Sequence, residues 1–180
     1  MLVLVVGPSG AGKDSLLKAA RGLFRDDARI SFARRVITRP PDPDGEDHEP
    51  VAPEAFAARD FALSWSAHGL RYGIPASALD VSVVVANVSR GVIGEAASRY
   101  DVRVIEVTAP PEILAARLAA RGRESAGDIA QRLARTVVMP AGVVVEMVWN
   151  DGTLAEGTER FVAALRRAMD DALPPEVSGK

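Results

Sequence analysis

Leu2-Val3-Leu4-Val5-Val6-Gly7-Pro8-Ser9-Gly10-Ala11-Gly12-Lys13-Asp14-Ser15-Leu16-Leu17 decides the fold. Its first five residues form an unbroken apolar run, the pattern of a parallel strand buried on both faces. Gly7 to Lys13 directly follows that strand and directly precedes a helical pattern. Glycines there let the backbone curl so that successive N–H groups point at a phosphate, and the helix N-terminus adds the positive end of its dipole. Lys13 then reaches the β and γ phosphates of a nucleotide, which makes it the candidate catalytic cation. The candidate nucleotide-binding residues are Gly7, Pro8, Ser9, Gly10, Ala11, Gly12, Lys13, Asp14 and Ser15.

The loop departs from the usual pattern at one place. A Ser or Thr ordinarily follows the lysine and binds Mg2+ through its hydroxyl, yet here Asp14 follows, with Ser15 next. A carboxylate is a good hard-oxygen ligand for Mg2+, so both Asp14 and Ser15 are candidate metal ligands. None of the apolar strands ends in the acid that supplies a second ligand elsewhere, and Val81 to Ala86 runs into Asn87.

Outward from this loop, further apolar runs occur at Val81 to Ala86, Val102 to Val107 and Val143 to Val148. Between them the spacing predicts helices over Leu16 to Phe24, Ser89 to Tyr100, Pro110 to Arg121 and Ser125 to Val137. A last helix carries Leu154, Phe161, Val162, Leu165 and Met169 on one face. Strands alternating with helices imply an α/β fold with a mostly parallel sheet, helices on both faces and ligands beyond the carboxyl ends of the strands.

At 180 residues the chain fits one domain with room for an insertion. It has no cysteine, which removes disulfides, thiolate metal sites and thiol nucleophiles. The net charge of -2 offers no global basic field for nucleic acid or membrane, and no apolar run approaches a membrane span. The expectation is a cytoplasmic protein that acts on small molecules.

Two arginine-bearing segments stand out. Residues 117 to 135 hold five arginines (117, 121, 123, 132 and 135) against two acids. Two helices joined by Arg121-Gly122-Arg123 could bring cations onto a transferring phosphoryl group, or could present a solvated face. Arg34, Arg35 and Arg39 precede a proline-rich acidic loop that contains His48, within an insertion spanning about residues 31 to 79, with short strands near Leu63 to Ser66 and a turn at Tyr72-Gly73. Guanidinium forks match phosphate geometry, so this combination suggests a pocket for a second anionic substrate.

In order after the phosphate loop, Thr38-Arg39-Pro40, Gly45-Glu46, Tyr72-Gly73, Arg121-Gly122-Arg123-Glu124 with Arg132-Leu133, and Asn150-Asp151 resemble guanylate kinases over nearly the whole chain. That resemblance implies a P-loop nucleoside-monophosphate-kinase-like three-layer α/β/α fold with a parallel core sheet, an acceptor-binding insertion and a helical lid. It implies a single domain with its core at residues 1–30 and 80–173, the insertion at 31–79 and the lid at about 117–137. By the same resemblance Arg39 binds the acceptor phosphate, Arg121 and Arg132 act catalytically from the lid, and Asn150 lies near the adenine of ATP. The guanine-reading acids of that family are missing: Ser64 stands before Trp65, and the matching strand end reads Ala86-Asn87-Val88-Ser89-Arg90.

The chain is more similar to ribose 1,5-bisphosphate phosphokinases, enzymes of phosphonate breakdown. The likeness rests on residues 7–17, Arg35-Val36-Ile37-Thr38-Arg39-Pro40, Phe61-Ala62-Leu63-Ser64-Trp65, His68-Gly69-Leu70, Tyr72-Gly73, Asn87 with Ser89-Arg90, and Arg121-Gly122-Arg123-Glu124. It implies transfer of the γ phosphate of ATP, with Mg2+, to a sugar bisphosphate to give phosphoribosyl diphosphate, and Arg35, Arg39, His48, Tyr72, Ser89 and Arg90 as acceptor-binding candidates. The alternatives are a guanylate or other nucleotide or small-metabolite kinase, and a non-catalytic binding domain of guanylate-kinase type.

Overall fold

In the computed structural model the residues described are 1–41, 46–120 and 139–172. The opening apolar run becomes β1 (Leu2–Val6), buried at all five positions, and α1 (Lys13–Leu23) follows the phosphate loop. Then come β2 (Ile30–Phe32), β3 (Val36–Ile37), β4 (Glu49–Pro50), α2 (Pro53–Ala57), β5 (Phe61–Ala67) and β6 (Leu70–Pro75). The remaining elements are β7 (Val83–Asn87), α3 (Ile93–Arg99), β8 (Val102–Thr108), α4 (Pro111–Ala120), β9 (Val144–Trp149) and α5 (Leu154–Ala172).

The core sheet is parallel throughout, in the order β2-β7-β1-β8-β9. Its central strand is the amino-terminal one, so the phosphate loop leaves the sheet between the carboxyl ends of β7 and β8, where the strand order reverses and ligands bind. On one face Val3, Val5, Val83, Val85, Ile105 and Val107 pack against Leu16 of α1, Leu114 of α4 and Phe161 and Leu165 of α5. On the other face Leu2, Leu4, Val84, Ala86 and Val104 pack against Ile93 and Ala96 of α3. That second face also receives Leu63 and Ile74 from a smaller mixed sheet, β4-β3-β6-β5. Helices therefore cover both faces, as the alternating pattern predicts.

Four details differ from the sequence reading. Ser31 and Phe32 belong to the core sheet through parallel pairing with Val84 and Val85, so the insertion starts after them. The turn expected at Tyr72-Gly73 lies earlier: His68 (φ 52°) and Gly69 (φ 72°) reverse the chain, whereas Tyr72 and Gly73 pair with β5 inside β6. Both central turn residues have positive φ, the geometry that suits the right-handed twist of a hairpin. The helix expected from Ser89 begins with a 3-10 turn, Arg90–Val92, before α3. Leu154 is 55% exposed because it stands at the first residue of α5, before the buried stripe begins at Gly157.

The strand over Val144–Trp149 is real but lies at the sheet edge, which is why Val144, Met147 and Trp149 are exposed. Among the described residues no helix is long and apolar enough to cross a membrane. The helix expected over Ser125 to Val137 lies outside the described residues.

Candidate functional site

Two glycines of the loop are fixed by what surrounds them. A Cβ on Gly7, whose φ is 145°, would come within 2.0 Å of the Val107 carbonyl oxygen, so the loop passes directly over β8. Gly12 caps α1 in the left-handed conformation at φ 83°, and a Cβ there would meet Nδ2 of Asn150 at 2.4 Å. Both positions combine a backbone that L side chains rarely adopt with no room for one.

The loop is held from below by two side chains. Asn150, 5% exposed, donates from Nδ2 to the Ala11 carbonyl at 2.8 Å. Arg117 Nη1 donates to the Asn150 carbonyl at 2.9 Å and to that of Gly10 at 3.5 Å. Asn150 thus faces the loop's underside and the carbonyls that turn away from a phosphate. Lys13 Nζ donates to the carbonyls of Gly7 (2.8 Å) and Pro8 (3.1 Å), which keeps its ammonium folded over the loop. Asp14 and Ser15, in the first turn of α1, are both exposed. Asp14 accepts a hydrogen bond at 2.9 Å from Nδ2 of Asn87, a residue 8% exposed at the carboxyl end of β7.

A cleft of about 620 Å³ opens beside the loop. Asp14 and Asn87 line it together with Lys18 and Arg21 from α1 and Arg34 and His48 from the insertion. Asp47 gathers two of these cations, accepting from Arg34 Nε at 2.9 Å and from Arg21 Nη1 at 3.3 Å.

The insertion holds four of the acceptor candidates, Arg35 with Tyr72 and Arg39 with His48. Arg35 forms a two-pronged ion pair with Glu46 and lies over the Tyr72 ring, its guanidinium carbon 5.4 Å from the centroid. Tyr72 stacks on Trp65 with centroids 5.4 Å apart and planes 6° from parallel. Glu46 also stands 4.0 Å from Arg39. His48, 4% exposed, places Nδ1 2.9 Å from the Glu46 carbonyl oxygen and Nε2 3.2 Å from that of Arg39. A neutral imidazole can donate to only one of them. Arg39 Nη2 lies 3.4 Å from His48 Nδ1, and Arg39 Nε is buried with no hydrogen-bond partner among the described residues. A buried guanidinium N–H left unpaired is costly, and an incoming anion would satisfy it.

Ser89 and Arg90 sit beyond β7. Ser89 caps the short 3-10 turn, accepting from Gly91 N–H at 3.4 Å, and Arg90 pairs with Glu106 of β8 at 2.5 Å. Arg121 and Arg132 lie outside the described residues.

Three contacts escape a reading of the sequence alone. Arg117 is counted there only as one member of an arginine-rich window, although its place three residues after buried Leu114 sets it on the inward stripe of α4. The Asn87 to Asp14 contact needs the pairing of β7 beside β1, which no local pattern supplies. Nothing in the spacing of Glu46 shows that it joins Arg35.

No family model matches the chain. It is 53% identical over 174 residues to a ribose 1,5-bisphosphate phosphokinase of Acidiphilium cryptum (strain JF-5), covering 94% of each chain. It is also 48% identical over 187 residues to a bifunctional ribose 1,5-bisphosphokinase-thymidine phosphorylase of Cupriavidus pinatubonensis (strain JMP 134 / LMG 1197), covering 98% of this chain and 31% of that protein. Among solved structures, guanylate kinase from Anaplasma phagocytophilum superposes with a TM-score of 0.68 at 17% identity, covering 94% of this chain and 86% of the other. At that identity the likeness speaks for the fold alone.

Proposed function

The chain belongs to the ribose 1,5-bisphosphate phosphokinase family, and from that premise we propose that it transfers the γ-phosphoryl group of ATP to ribose 1,5-bisphosphate. An oxygen of the 1-phosphate attacks the γ phosphorus as its bond to the β-bridging oxygen breaks, giving 5-phosphoribosyl 1-diphosphate and ADP. The observation that carries this reading is the pairing of an intact phosphate loop, Lys13 folded over it, with a cation-bearing insertion in which the buried Arg39 Nε has no hydrogen-bond partner among the described residues.

In this reading residues Gly7 to Lys13 bind the ATP phosphates and Lys13 follows charge onto the transferring group. The carboxylate of Asp14 and hydroxyl of Ser15 are exposed hard-oxygen donors at the mouth of the loop and would hold Mg2+, which would supply positive charge to offset that of the nucleotide phosphates. Arg39 and His48 bind an acceptor phosphate, while Arg35 and Tyr72 brace them through Glu46. Ser89 and Arg90, just beyond the end of β7, contribute to acceptor binding in the same reading. Arg121 and Arg132 add positive charge to the phosphoryl group in transit. Asn150 serves the nucleotide by holding the loop. A kinase fed by ATP and a sugar phosphate works in the cytoplasm, and membership of this family assigns it to phosphonate breakdown.

A coupled assay of ADP release over a panel of acceptors tests the assignment. The highest kcat/KM is expected with ribose 1,5-bisphosphate. Ser64 and the strand end Ala86-Asn87-Val88-Ser89-Arg90 offer no carboxylate to the ring N–H and amino groups of guanine, so a higher value with guanylate would overturn the acceptor.

A further inference from the structure

We propose that Asn87 is a positioning residue for the metal of the metal–nucleotide complex, because its amide holds the Asp14 carboxylate at the mouth of the phosphate loop. The proposal rests on the ATP-dependent reading above and concerns how that site is charged.

Phosphate-loop enzymes commonly divide Mg2+ binding between a loop hydroxyl and a carboxylate at the end of a neighbouring strand, so the two places together carry one negative charge. Here the charge stands at the other place. The loop residue is the acid, Asp14, and the end of the neighbouring strand β7 is the neutral Asn87, in register with Val5 of β1. The 2.9 Å hydrogen bond between them shows that the two places meet in the lining of the cleft, and their sum is still one negative charge.

Among the described residues, the other carboxylates that line the cleft are already in ion pairs. Glu46 is paired with Arg35, and Asp47 with Arg34 and Arg21, while Glu106 on β8, outside that lining, is paired with Arg90. Asp14 is in no ion pair among the described residues, and its one neutral donor leaves its charge intact. An exposed acid in a first helical turn samples several rotamers, and a buried amide selects one of them. Partners of this kind behind a ligating carboxylate set both its direction and the affinity of the metal.

The test titrates Mn2+ into the enzyme·ADP complex, read by electron paramagnetic resonance, and measures ADP binding in EDTA beside it. Asn87→Ala is expected to weaken Mn2+ binding by roughly tenfold, in the range found for such supporting groups, with metal-free ADP affinity unchanged. Asp14→Asn should weaken it further. The exchange variant Asp14→Asn/Asn87→Asp, which returns the acid to the strand end, should recover Mn2+ affinity to within a few-fold of the native protein. An unchanged Mn2+ affinity in Asn87→Ala, or an exchange variant no better than Asp14→Asn, would overturn the proposal. Should Asn87→Ala fail to fold, the comparison of Asp14→Asn with the exchange variant decides alone, since Asp14 is exposed and Asn87→Asp keeps the size and shape of the buried side chain. No acceptor is present in these titrations, so a wrong acceptor leaves their outcome untouched. Failure of the native protein to bind ADP would sink the kinase reading and this proposal together.

Discussion

Asn150 donates to the carbonyl of Ala11 across 139 residues of sequence, at 2.8 Å and out of contact with solvent. The same residue receives Arg117 on its own carbonyl and takes its backbone N–H to Thr108 at 2.7 Å. The end of β9 is thereby tied to β8, to α4 and to the underside of the phosphate loop. Asn150→Ala removes the donor and leaves a buried carbonyl unpaired, which costs about 1 to 3 kcal/mol. Denaturant unfolding should show that loss, and KM for ATP should rise because the loop is no longer held in its phosphate-binding curve. A variant of native stability and native KM would show that Arg117 suffices to hold the loop.

The loop itself was legible from the first seventeen residues, because strand, glycine spacing and helix are contiguous and each is a local pattern. The parallel core followed for the same reason. What stayed hidden were relations between distant segments. The family resemblance sets Asn150 near adenine, and only the packing of β9 against β8 and α5 shows its side chain beneath Ala11. Arg35 and Arg90 look like free cations for phosphate, yet each is matched by an acid that carries no spacing signal, Glu46 in a loop and Glu106 within a strand. The hairpin was misplaced by four residues because Tyr72-Gly73 reads as a turn by composition, while β6 needs Gly73 for the Phe61 ring that crosses it.

Lys13→Ala removes the ammonium that lies over Gly7 and Pro8. Its charge is worth most when negative charge spreads over the transferring phosphoryl oxygens, so kcat/KM for ATP should fall by roughly three orders of magnitude. Circular dichroism should be native. A rate within a few-fold of native would mean that the chain binds nucleotides without using them.

Asp27 gives a pH signature remote from the site. Hydrogen bonds from the Arg29 side chain and backbone, at 2.9 and 3.0 Å, lower its pKa from 3.8 to about 2. Because the folded value is the lower one, the stabilisation is complete above about pH 4 and disappears as pH falls through about 2. Carboxyl-carbon NMR should place the Asp27 midpoint near the lower end of that window. Asp27→Asn should flatten the acid limb of the stability curve slightly, and salt should weaken the native effect, since the pair faces water. A midpoint near 3.8 would show that the Arg29 pair does not persist in solution.

Arg35 and Arg39 stand four residues apart in sequence and do different work. Arg35 spends its guanidinium on Glu46 and on the face of Tyr72, with only 13% of its side chain exposed, whereas Arg39 has a buried Nε with no hydrogen-bond partner among the described residues. Arg35→Lys keeps the charge but cannot make two parallel bonds to one carboxylate or stack on a ring. The expected cost is about 2 kcal/mol of stability, below the roughly 3 to 5 of a fully buried pair. Its effect on the acceptor should be indirect, a KM raised a few-fold through the Glu46 to His48 segment with kcat kept. Arg39→Ala should do the reverse, raising acceptor KM by at least about tenfold, as loss of a charged hydrogen-bond donor requires, with little change in the unfolding midpoint. Equal KM effects from both changes, without any loss of stability in Arg35→Lys, would show that Arg35 leaves Glu46 and touches the acceptor itself.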